Sequence, residues 1–251
     1  MDELAPRRSL SLSTAVAIAG TAVLMTAVLA LHPSDQMESV RRLVGLGAER
    51  GLPAPVIKDL GGVYRFTMTQ QASGEPVGWD PCRSIRYQVN PAGAPAGGEA
   101  LIERAVERIS SATGLVFESD GTTEQRPFTG QFVPLGTDRP VVIGWATAAE
   151  FPDLAGDIAG IGGGAAEEGV LGRRYYVTGA IALDTDVFTA QQVESAPQIM
   201  EAIVVHELAH VVGLNHVDEP MELMAPINNG QINLGPGDRE GLARLGSLPC
   251  A

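Results

Sequence analysis

Two histidines four residues apart on a long apolar segment constrain this chain more than any other feature. The string runs His206-Glu207-x-x-His210-x-x-Gly213-x-x-His216, and it holds three of the four histidines in the protein. Upstream of it, Ile199, Ile203, Val204 and Val205 form a nearly continuous apolar stretch. A helix of that composition is buried, so each polar residue on it needs a partner. At ~100° per residue, positions 206 and 210 point almost the same way, one turn apart. Two imidazoles are thereby preset for one metal ion. A continued helix would turn His216 about 120° away from His210. Gly213 stands where the chain must reverse, and glycine adopts the positive φ that ends a helix.

With that reversal His216 returns to the other two, and the expectation is a three-imidazole zinc site whose fourth position is left to water. Such an open shell marks catalytic rather than structural zinc, and it lowers the pKa of the water to about 7. Glu207, beside the first ligand, is placed to take the proton as general base. It is not expected to be a ligand, because on a helix it lies ~100° from His206. Ser195 is expected to cap this helix, with Gln198 completing a capping box and Pro197 in the first turn.

The string resembles that of the metzincin metalloproteases, and the residues after His216 are similar to their matrixin branch. Leu223-Met224-Ala225-Pro226 looks like the matrixin Met-turn. The resemblance covers roughly Pro76 to the C-terminus and is strongest from Pro197 to Pro226. It implies an α+β catalytic domain: a twisted mixed sheet with two long helices, then a small irregular C-terminal subdomain after Gly213. It also implies a zinc-dependent endopeptidase with an extended peptide or protein substrate across the cleft, and Met224 as an apolar floor under the imidazoles. The chain departs from the family in having no further histidines for a structural zinc, no cysteine-switch segment and no tyrosine after the Met-turn. Calcium among Asp157, Glu167, Glu168, Asp184 or Asp186 competes with the simpler reading of scattered surface carboxylates.

Upstream, alternation predicts strands at Val63–Met68 and Ile85–Val89. Ile102, Ala105, Val106, Ile109 and Ala112 share one face of a helix that starts near Glu99 and stops at Gly114. Strands follow at Leu115–Phe117, Val141–Trp145 and Thr178–Leu183, with Gly160–Gly164 read as a glycine-rich loop.

Arg7 and Arg8 precede an uncharged stretch, Ser9–Leu31, that reads as a signal peptide or signal anchor over residues 1–32. Val28-Leu29-Ala30 looks like a cleavage site, while the length reaches the ~20 residues that span a bilayer. In one case the protein is secreted. In the other it is anchored through residues 9–31 with its catalytic domain outside. Residues 33–75 read as a stalk or short pro-segment, with a short helix from Ser34 using Met37, Val40, Leu43 and Val44. Residues 76–251 are the expected catalytic domain. A net charge of −13 disfavours nucleic acid as a partner. Cys82 and Cys250, the only cysteines, read as a disulfide in an oxidising compartment. The competing reading makes Cys82 a thiolate that blocks the metal. Two other activities stay open: a zinc-binding module without turnover, and a metalloenzyme acting on a non-peptide bond.

Overall fold

The structure, a computed structural model, describes residues 11–31, 41, 47–129, 139–169, 172–227 and 230–250. It divides into two units, Met1–Gly47 and Ala48–Ala251. In the first, α1 (Leu12–Leu31) is a 20-residue helix without a charged residue. The side chains at 12, 15 and 29–31 fall outside the described set, and among the described residues no helix is long and apolar enough to cross a membrane. The helix expected from Ser34 also lies outside the described residues.

The second unit is built on a five-stranded sheet of β2 (Ile85–Asn90), β3 (Phe117–Thr122), β4 (Val141–Ala146), β5 (Gly160–Glu168) and β6 (Arg174–Asp184). Its order is β3-β2-β4-β6-β5. The first four strands in that order run parallel, and β5 closes one edge antiparallel to β6. β4 is buried at every position, as expected of a central parallel strand read as a continuous apolar run.

Between β2 and β3 the chain crosses over through α2 (Gly98–Thr113), which buries Leu101, Ile102, Ala105, Val106 and Ile109. Gly114 ends it at φ 65°, and its N–H donates to the Ser110 carbonyl. The predicted strand at Leu115–Phe117 begins only at Phe117. In the connection before it, the Ser110 hydroxyl donates to the Leu115 carbonyl. After β6 come α3 (Ala190–Ser195), α4 (Pro197–Val212) and α5 (Pro236–Gly246). α4 packs on β5 and β6 and against α2. Arg104 and Arg108 of α2 reach Glu201 of α4 at 2.8 and 3.0 Å. The sheet with two long helices is thus as expected.

Two local expectations are corrected. Gly160–Gly164 is not a loop but the first half of β5, paired with β6 from Gly160↔Leu183 to Gly164↔Gly179. Glycine runs have low strand propensity, yet here the missing side chains let a helix lie against the strand. A Cβ on Gly162 would fall on the backbone carbonyl of Glu207, and one on Gly164 would come within 2.8 Å of the Val211 carbonyl. Nor does Ser195 cap α4. Thr189 caps the preceding turn by accepting from the Gln192 N–H at 3.2 Å, which draws Ser195 into the end of α3. Ala196 then precedes Pro197 with no side-chain cap, and Pro197 has no N–H to satisfy.

The compact unit starts at Ala48, ahead of the Pro76 boundary read from the sequence. The predicted strand Val63–Met68 contracts to β1 (Arg65–Phe66), antiparallel to β7 (Leu214–Asn215). Arg50 donates to the Gly246 and Leu248 carbonyls, and Ser247 to that of Pro55. Tyr64 donates to Glu240 at 3.2 Å. Cys82 and Cys250 are bonded, with 5.5 Å between their Cα atoms, which removes the thiolate reading of Cys82. In the chain-entropy account a bridge over so long a separation restricts the unfolded chain by roughly 5 kcal/mol.

Candidate metal centre

His206 and His210 project from the last two turns of α4, and the helix stops at Gly213. Gly213 has φ 120°, and its N–H is shared between the Ala209 and His210 carbonyls at 3.1 Å. No side chain would fit there, since Leu245, Tyr176 and the Val77 carbonyl lie within 3.1–3.2 Å of where a Cβ would stand. The reversing chain is caught by the residue after β1: Thr67 donates through its N–H to the Gly213 carbonyl and through its hydroxyl to that of Leu214, both at 2.9 Å. His216 then comes back over the helix end.

As a result the three Nε2 atoms lie 3.0, 3.1 and 3.2 Å from one another. A tetrahedral ion with nitrogen ligands at 2.0–2.1 Å needs them roughly 3.3 Å apart, so the donor set fits a zinc ion. Tautomer choice agrees: His206 Nδ1 donates to the Leu223 carbonyl at 2.7 Å and His210 Nδ1 to the Leu214 carbonyl at 2.8 Å. With Nδ1 protonated, each Nε2 keeps its lone pair for the centre. Burial, followed by the neighbouring His210, pushes His206 down to about 3. Burial pushes His210 down to about 4 and also lowers His216.

Neutral imidazoles lead to a pH prediction. Three unperturbed imidazoles of pKa 6.5 would lose roughly 50-fold in zinc affinity between pH 7.5 and 6, as each becomes mostly protonated. His206 and His210, lowered to about 3 and about 4, stay neutral through that window, and His216, lowered from its ordinary value, costs no more than the roughly 4-fold of one free imidazole. Zinc affinity measured by chelator competition should therefore change by less than about 5-fold between pH 7.5 and 6.

Glu207 is buried, 6% exposed, on the side of α4 that faces β5. Burial pushes its carboxyl up to about 8, opposed by the N–H of Gly162 that donates to it. The glycine strand thus does two things for this residue. It admits the helix and supplies a fixed donor. Alanine at 162 should cost about 1–3 kcal/mol by overpacking, read by denaturant unfolding. Alanine at 163, where a Cβ meets nothing within 4 Å, should leave stability unchanged.

Met224 is buried, next in sequence to Leu223, and its carbonyl accepts from the Val217 N–H at 3.1 Å. Sequence reasoning missed the carbonyls of Leu214 and Leu223, the Gly162 N–H and two buried acids, Glu222 and Asp238. Only the glycine run carried a readable signal, that of close backbone approach. Among the described residues, the second group able to offer three ligating atoms is Asp80, Cys82 and Cys250, whose sulfurs are consumed in the disulfide. Asp157, Glu167, Glu168, Asp184 and Asp186 join neither group.

A mixed sheet, a helix carrying two of three converging imidazoles and a buried acid between them are consistent with a metzincin-like catalytic domain. Residues 137–245 match the family model for matrixin, a span that takes in β4 to β7, the whole histidine string and all but the last residue of α5. That match and the three converging histidines indicate a zinc metalloprotease, similar to the matrixins over the matched span. No curated protein matches it.

Proposed function

We propose that the chain is an endopeptidase in which His206, His210 and His216 hold one zinc ion and Glu207 is the general base. The convergence of three Nε2 atoms, two of them fixed by Nδ1–H bonds to carbonyls, carries this reading. Zinc bound there supplies Lewis acidity and makes a water molecule acidic near neutral pH. Glu207 accepts that proton at its carboxylate and passes it to the leaving amine. A positive ion held by the three imidazoles would draw the Glu207 pKa back down from its zinc-free position and leave the carboxylate available as a base. Gly162 N–H keeps it aimed. A module that only binds metal has no use for a carboxylate buried at such cost, which favours turnover over binding alone.

β5 ends the sheet, so its outer backbone N–H and C=O groups can pair with an extended peptide. In this reading peptide and protein substrates lie along the glycine strand, beside Glu207. Residues 48–75 belong to the catalytic unit in this reading, and the stalk or pro-segment narrows to 33–47. Export, either as a secreted protein or anchored through residues 9–31, is supported by the arginine pair ahead of α1 and by the disulfide. Elemental analysis of the purified full chain after zinc loading and desalting tests the site: one zinc per chain is expected. Protein without bound zinc would overturn the assignment.

A further inference from the structure

Glu222 and Asp238 are each 1% exposed, and the mechanism above uses neither. Their contacts are reciprocal. Glu222, in the turn before Met224, accepts from the N–H groups of Gly237 at 2.8 Å and Asp238 at 2.9 Å, capping the start of α5. Its Oε1 also takes the Val63 N–H at 3.4 Å. Asp238, in the first turn of α5, accepts from Leu223 at 2.5 Å, Met224 at 3.3 Å and Gly235 at 2.8 Å. Each element thus presents a carboxylate to the other's backbone. Burial pushes the Asp238 carboxyl up to about 6, with the neighbouring Glu222 adding to the rise and the backbone donors opposing it. Two acids packed this closely in the interior are costly, and backbone N–H groups offset that cost only while the turn keeps its shape.

The turn they hold matters because the Leu223 carbonyl is the acceptor for His206 Nδ1. Asp238 grips the N–H of Leu223, while the C=O of the same residue orients the imidazole. We infer that Glu222 and Asp238 are positioning residues for the metal centre, acting through the Leu223 backbone to aim the Nε2 lone pair of His206. The inference rests on the zinc-site reading above. Partners of this kind behind a ligand are worth about 10- to 100-fold in metal affinity.

The test uses Glu222→Gln and Asp238→Asn in the full chain, each replacing one acceptor oxygen by an NH2 that faces N–H donors. Zinc affinity by chelator competition and the melting temperature of the zinc-free protein are measured for both. Ile109→Val, in the α2 core and outside this network, serves as the control for lost stability alone. Zinc Kd should rise about 10- to 100-fold in both variants. With zinc saturating, KM should stay within about twofold of the parent, because the pair holds the metal ligand and not the substrate. Ile109→Val should lower the melting temperature with an unchanged Kd. A Kd within twofold of the parent in either acid variant, whatever its melting temperature, would overturn the proposal. So would failure of both variants to give folded zinc-free protein, which would make the pair a folding element. A parent chain that binds no zinc would defeat the zinc-site reading instead.

Discussion

Replacing Glu207 by Gln should leave zinc bound while peptidase activity falls by roughly 100- to 10,000-fold, the usual worth of general acid–base catalysis. The three Nε2 atoms that converge come from histidines, and Glu207 instead faces β5, where Gly162 donates to it. The metal count should therefore persist. Gln matches the shape of the carboxylate and can still accept from Gly162, so the fold has little reason to change. It cannot take a proton from water. The loss should fall on kcat more than on KM, since the carboxylate acts on the reacting atoms. Zinc stoichiometry and steady-state rates on the same preparation check both halves.

His210→Ala should behave differently, losing zinc and activity together. Its Nε2 lies 3.2 Å from that of His206 and 3.1 Å from that of His216, so removal opens one side of the shell. The damage does not stop there. The Leu214 carbonyl loses its Nδ1–H donor, and Leu214 lies in β7, which brings His216 back. Zinc Kd should weaken by at least 100-fold, beyond what a partner behind the ligand costs. Comparison of the two variants separates the roles: one keeps the metal without the proton acceptor, the other loses the metal itself.

The site was legible because its determinants are local. His206 and His210 are preset by helical period, and Gly213 announced the reversal that brings His216 back. The α2 face and its Gly114 stop were equally readable, as were the alternation of β2 and the apolar runs of β4 and β6. Failures arose where the cause is distant in sequence. Gly160–Gly164 looks like a loop until α4 is laid against it, and only then does the absence of side chains become a packing requirement. Ser195 lost its capping role to a helix that Thr189 starts six residues earlier. Glu222 and Asp238 carry no local signal in a chain of net charge −13, and nothing near them in sequence says that each will be buried against the other's backbone. Residues 48–75 carry no local sign of their partners, which lie on β7 and α5 late in the sequence.

Cleavage of peptide bonds at this zinc site is the central claim. Incubating the zinc-loaded full chain with a library of unstructured peptides, and reading the products by mass spectrometry, tests it most directly. New termini at internal bonds are expected, abolished by a chelator, restored by added zinc and absent with Glu207→Gln. Intact peptides with one zinc bound per chain, or cleavage that persists in Glu207→Gln at the parent rate, would contradict it.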